Sequence, residues 1–135
     1  MLHTTLDDIG VGPRSFPTPP LSISVDSCGN FFAAVIEHLV KKGRQMIHKL
    51  APDGATLATF GGYGVKSGEF LYPVAAAVAP DDSVLVLDAE THLVQRSDNG
   101  GKYLSSFGGQ GDGEGTFNKP RNLCVGHDGA IYVLD

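Results

Sequence analysis

The stretch Phe60-Gly61-Gly62-Tyr63-Gly64-Val65-Lys66-Ser67-Gly68-Glu69-Phe70-Leu71-Tyr72-Pro73 returns 47 residues later as Phe107-Gly108-Gly109-Gln110-Gly111-Asp112-Gly113-Glu114-Gly115-Thr116-Phe117-Asn118-Lys119-Pro120. Five features hold that offset: the Phe-Gly-Gly triplet, the second glycine, the second phenylalanine, the proline, and an aspartate that follows an apolar run. The aspartates are Asp88, after Val84-Leu85-Val86-Leu87, and Asp135, after Ile131-Tyr132-Val133-Leu134. A constant step through separate features marks a repeat architecture.

A weaker copy lies upstream. Gly10 to Phe16 match Gly64 to Phe70, and Pro20 takes the place of Pro73, a step of 53. The excess falls between Val35 and Gln45, where Glu37 to Arg44 have few counterparts. The chain therefore divides into an N-terminal segment 1–19 with a degenerate connecting loop, a first repeat 20–72 with an insertion near 36–44, a second repeat 73–119, and a truncated third repeat 120–135.

Each copy reads as short strands bounded by Gly, Asp, Asn and Pro. The second copy predicts strands over Val74–Ala79, Ser83–Leu87, Leu93–Ser97 and Lys102–Phe107. The first predicts Leu21–Val25, Asn30–Val35, Gln45–Leu50 and Ala55–Phe60, and the third Arg121–Val125 and Ala130–Leu134. Phe31–Lys42 is free of Gly and Pro and admits a helix as the alternative, although alignment with the other copies favours a strand up to about Val35. Four short strands per repeat of about 45 residues predict an all-β fold, a partial β-propeller of four-stranded antiparallel blades.

Composition agrees with a globular chain made of many turns. Its 135 residues are 41% apolar, with 18 Gly and 8 Pro spread through the sequence rather than clustered. The net charge of −5 argues against a general nucleic-acid binder, which needs a basic surface to displace counterions. Cys28 and Cys124 form neither a metal-ligand spacing nor a disulfide framework. The first residues lack the basic start and apolar stretch of an export signal, and no apolar run reaches the ~20 residues of a membrane helix. The expectation is a soluble, cytoplasmic protein with no membrane partner.

The pattern Phe-Gly-Gly-x-Gly-x-x-x-Gly-x-Phe-x-x-Pro, followed by an apolar strand, a turn, and an apolar strand ending in Asp, resembles the NHL repeat. The resemblance covers Gly10 to Asp135 and implies repeat positions at Gly61, Gly62, Phe70, Pro73, Asp88, Gly108, Gly109, Phe117, Pro120 and Asp135. It implies a propeller normally closed by six blades, so further blades or self-association are expected. The copies also depart from the family. Thr91 and Leu93 stand where its Asn and Arg are common, Val35 replaces the strand-end Asp in copy one, and Gly126 replaces an acidic residue in copy three.

For function, loops between second and third strands open on the same end as loops joining blades. That end gathers 35–44, 61–72, 88–92 and 108–119. Lys41, Lys42 and Arg44 form the one basic cluster, with His38 near it and His92 on a second loop. These five residues are the candidate binding set, suited to an acidic peptide or a phosphate backbone. No catalytic set, metal site or cofactor motif is legible. Gly108–Gly115 lacks the Lys-Ser/Thr and following helix of a phosphate loop, and Asp112 with Glu114 lacks the oxygen series of a calcium loop. The expectation is a non-catalytic binding or scaffold module for a protein partner, with RNA as the second choice. The resemblance extends to the propellers of tripartite-motif ubiquitin ligases. An NHL-like enzyme of the peptidyl amidating-lyase kind, which gathers histidines from several blades around a metal, is the alternative.

Overall fold

The structure, a computed structural model, describes residues 21–37, 44–111 and 113–135. Ten strands follow in order: β1 (Ser22–Val25), β2 (Phe31–Glu37), β3 (Arg44–Leu50), β4 (Thr56–Gly61), β5 (Pro73–Val78), β6 (Val84–Asp88), β7 (Leu93–Ser97), β8 (Tyr103–Gly108), β9 (Asn122–Val125) and β10 (Ile131–Leu134). They form two four-stranded antiparallel meanders, β1-β2-β3-β4 and β5-β6-β7-β8, and a β9-β10 pair. The fold is all-β. The stretch that admitted a helix is strand through Glu37, because Phe31 to Glu37 pair residue by residue with Leu50 to Arg44.

The repeat steps reappear in the pairing. Ser22 faces Ala34, Ala75 faces Leu87, and Asn122 faces Leu134. These pairs are 53 and 47 residues apart along the chain. The insertion in the first copy is partly absorbed by longer strands, since Ile36↔Gln45 and Glu37↔Arg44 extend the β2-β3 hairpin. Arg44 is thus the first residue of a strand, a correction to its expected place in a loop.

The sheets stack face to face, and the middle one is covered on both sides. Alternate residues of a strand point to opposite faces. Ala76, Val84 and Val86, with Val78, therefore meet Phe32, Ala34, Ile47 and Phe70 on one side. Ala75, Ala77, Leu85, Leu87 and Val94 meet Leu123, with Val125, Ile131 and Val133, on the other. This explains why β6 is an unbroken apolar run, Val-Leu-Val-Leu, buried along its whole length. Each such side chain contributes about 1.5–3 kcal/mol by leaving water. The alanines of β5 have a separate cause. β1 packs against β5 and β5 against β9, so the three first strands converge and only small side chains fit between them.

Candidate binding face

Antiparallel meanders place the β6-β7 turn and the two connectors, 61–72 and 108–119, at one end of the sheets. Backbone geometry in the connectors repeats closely. Phe70 N–H donates to the Gly62 carbonyl at 2.8 Å, and Phe117 N–H to the Gly109 carbonyl at 2.7 Å. Gly64 N–H then donates to Phe70 O, and Gly111 N–H to Phe117 O, both at 3.1 Å. Gly61 and Gly62 (φ 117° and 127°) match Gly108 and Gly109 (φ 110° and 120°), a backbone region nearly closed to other residues. Phe70 is sealed between the first two sheets, whereas Phe117 packs on the middle sheet and stays partly exposed. Pro73 and Pro120, both buried, lead into β5 and β9.

Asp88 organises this end. Its carboxylate is fully buried and accepts four backbone N–H bonds, from Leu71 (2.7 Å), Tyr72 (3.1 Å), Glu90 (3.0 Å) and Thr91 (3.1 Å). Convergent N–H dipoles of this kind make a nest for negative charge. Asp135 does the same in the third copy, accepting from Asn118 (3.0 Å) and Lys119 (2.7 Å). Those N–H bonds, and beyond them the charge of His92, hold its carboxyl below the ordinary carboxylate value. Asp88 and Asp135 thus spend their oxygens on backbone N–H groups of the chain.

Gln95 was not legible as a site residue, yet it locks the first connector. Its Oε1 accepts Gly68 N–H at 2.9 Å and its Nε2 donates to Glu69 O at 2.7 Å. On β7 it reads as one polar residue in an alternating strand. Only the passage of a connector over that strand gives it a partner.

Of the five candidate binding residues, His38, Lys41 and Lys42 lie outside the described residues. Arg44 starts β3. His92 sits in the β6-β7 turn at φ 61°, half-buried, and its carbonyl accepts Gly109 N–H at 2.7 Å. That backbone bond brings His92 to the second connector. Three exposed apolar side chains mark the first connector instead: Tyr63 (49% exposed), Val65 (76%) and Tyr72 (43%).

Two further features lie away from this end. A groove of about 570 Å³ runs between the converging first strands, lined by Ser22, Ser24, Ala76, Arg121, Asn122 and Cys124 among others. Its serines are committed: Ser22 Oγ accepts Ala76 N–H at 3.2 Å and Ser24 Oγ accepts Val78 N–H at 3.0 Å. At the far end of the sheets, Asn99 donates to Asp26 (3.2 Å) and to the Asp82 carbonyl (3.0 Å), Lys49 donates to Asn99, and Ser27 N–H donates to the Asp82 carboxylate at 3.0 Å. This network bolts the first sheet to the second. Burial raises the Asp26 carboxyl, but hydrogen bonds from Asn30, Asn99 and Cys28 outweigh it and leave the group below its ordinary value. Among the described residues no three His, Cys, Asp or Glu side chains come together as metal ligands, and both cysteines are exposed free thiols. No helix among them is long and apolar enough to cross a membrane.

No family model and no curated protein matches this chain. Solved structures do resemble it. A protein of unknown function from Bacteroides caccae superposes with a TM-score of 0.56 at 16% identity, over 83% of this chain and 36% of its own. The hydrazine synthase of Kuenenia stuttgartiensis superposes with a TM-score of 0.58 at 20% identity, over 84% of this chain and 28% of its own. The chain thus spans about a third of the length of the structures it matches, and at these identities what it shares with them is the fold.

Proposed function

We propose that this chain is part of a β-propeller of NHL-type repeats and serves as a non-catalytic binding module that takes a protein partner on its connector end. The observation that carries the reading is a difference between two backbones of one shape. Tyr63, Val65 and Tyr72 stand in the first connector where the second carries Gln110, Asp112 and Lys119. Since the repeat accommodates polar residues at these positions, the fold does not demand exposed aromatic and aliphatic groups there. Tyrosines on a well-braced loop are what a protein interface uses for its anchors: they present large contact area and lose little rotamer freedom on binding. The brace is on hand in Gln95 and Asp88, which hold the second half of the loop at Gly68–Glu69 and Leu71–Tyr72, and in the Phe70–Gly62 and Gly64–Phe70 backbone bonds, which tie the first half to it.

Affinity capture with the whole chain tests the reading, using a variant that copies the second connector, Tyr63→Gln with Val65→Asp and Tyr72→Lys. A protein captured by the parent and lost by this variant, at unchanged melting temperature, supports the connector as the site. A partner retained by the variant overturns it. Binding of RNA that weakens with salt and with Lys41→Glu plus Lys42→Glu would move the site to the basic insertion.

A further inference from the structure

The contact that joins the first two sheets at their far end is built on Asn99-Gly100, the one Asn-Gly step in the sequence. The fold does not require that pair. The equivalent turn of the first repeat, 47 residues earlier, reads Pro52-Asp53. Gly100 is not one of the glycines at positive φ, and a Cβ there would meet only Asp98 Oδ1, at 3.5 Å. Asn followed by Gly is the step at which a peptide chain most readily attacks itself, because no side chain shields the glycine nitrogen.

In the folded chain the reacting groups are held apart. Asn99 is half-buried. Its Nδ2 donates to Asp26 in the β1-β2 turn (3.2 Å) and to the Asp82 carbonyl (3.0 Å), and its Oδ1 accepts from Lys49 on β3. The Gly100 N–H donates to Asp98 Oδ1 at 3.0 Å. A second clasp crosses the same boundary, where Ser27 N–H and Ser27 Oγ both donate to the Asp82 carboxylate. Asp82 stands at φ 65°, and its counterparts in the first and third repeats are Gly29 and Gly129, both at 84°. A side chain in that backbone region is strained, so the clasp is maintained at a cost.

We propose that Asn99 is a covalent modification site, a deamidation site that the contact between the first two sheets keeps closed and that reacts when they part. The Gly100 nitrogen attacks Asn99 Cγ. The new C–N bond closes a cyclic imide, and the side-chain nitrogen leaves as ammonia, taking up the Gly100 amide proton. Water then opens the ring at either carbonyl and leaves aspartate or isoaspartate. The product has a carboxylate where Nδ2 was a donor, so it faces the Asp26 carboxylate and the Asp82 carbonyl with no hydrogen to share. Lys49 alone keeps its partner. The change is one-way, and a molecule that has opened and reacted docks its first sheet less firmly.

Prolonged incubation of the whole chain, followed by peptide mapping with mass spectrometry, tests this. Conversion at Asn99 is read as the mass gain from amide to carboxyl, and isoaspartate by labelling with an isoaspartyl methyltransferase. Conversion is expected to be several-fold slower in the folded chain than in the same chain unfolded in urea. Ser27→Ala with Asp82→Gly removes the second clasp and leaves Asn99 and its chain neighbours in place; it should speed conversion in the folded chain several-fold. Ser27→Ala alone serves if far-UV circular dichroism shows that the double variant unfolds. Gly100→Asp, the residue of the first repeat, should suppress conversion at unchanged melting temperature. Asn99→Asp, which supplies the product, should melt below the parent. Equal rates in the folded and unfolded chains, or a folded clasp variant that reacts no faster than the parent, overturn the proposal. Conversion that persists in Gly100→Asp, or an Asn99→Asp variant that melts with the parent, overturns it as well.

Discussion

The N–H of Leu71 donates to the buried carboxylate of Asp88 at 2.7 Å, and through this bond the end of β6 grips the connector that leads into β5. Asp88→Ala leaves four N–H groups without an acceptor in a site closed to water. Each costs about 1–3 kcal/mol, so a total loss of about 4 kcal/mol or more is expected from urea denaturation. Asp88→Asn keeps one oxygen for Tyr72, Glu90 and Thr91 but turns an amide group toward Leu71, and should lose less. Asp135→Ala, on an exposed copy of the same nest, should lose less than Asp88→Ala. Equal losses at Asp88 and Asp135 would deny the role of burial.

Gln95 is expected to act through the connector and not through β7. Gln95→Leu keeps the apolar stem but strands Gly68 N–H and Glu69 O, for a cost of about 2 kcal/mol. Hydrogen exchange should then quicken at Phe70 and Gly64, whose bonds close the connector, before it quickens in β7. Faster exchange spread evenly over the middle sheet would contradict the clamp.

The paired glycines of the second connector should respond unequally to alanine. At Gly109 a Cβ meets nothing within 4 Å, so Gly109→Ala carries only the backbone strain of φ 120°, about 1–2 kcal/mol. At Gly108 a Cβ would stand 2.7 Å from the His92 carbonyl oxygen and 2.7 Å from the Phe117 ring. Gly108→Ala should therefore cost about twice as much, read from the shift in denaturation midpoint.

Acid should loosen the molecule in a defined window. The folded-state values of Asp26 and Asp135 lie below the 3.8 of an unperturbed aspartate. A carboxylate depressed on folding stabilises the protein above its unfolded value, and that contribution disappears as pH falls through the folded value. The melting temperature should accordingly be level from about pH 7 to 5 and drop below about pH 4. In Asp26→Asn the drop should be shallower. A drop of the same depth in that variant would assign the acid sensitivity to other groups.

Much of the fold was legible because the repeat writes its turns and strands locally. Leu93–Ser97 forms β7 as expected, and most other strands begin or end within one residue of their reading. The exception is β2, which runs to Glu37. There the insertion lengthened a hairpin, and no local signal separates a longer hairpin from a longer loop. The candidate site was less legible. The basic cluster stood out by charge contrast, whereas Tyr63, Val65 and Tyr72 look in the sequence like ordinary core residues. Gln95, Lys49 and the Asp26–Asn99 contact carried no signal, since their partners lie 26 to 73 residues away along the chain.

The sequence by itself determined the step of the repeat, the residues that turn the chain, and the alternation that gives each sheet two faces. These depend on φ restrictions and on a two-residue period, which act over a few neighbours. Only the tertiary structure decided which faces are covered and which are left open. Leu87 and Leu134 hold equivalent places after similar apolar runs, yet one is sealed and the other is 62% exposed. Burial depends on whether a sheet from elsewhere in the chain arrives on that side, and no property of the local sequence records its arrival.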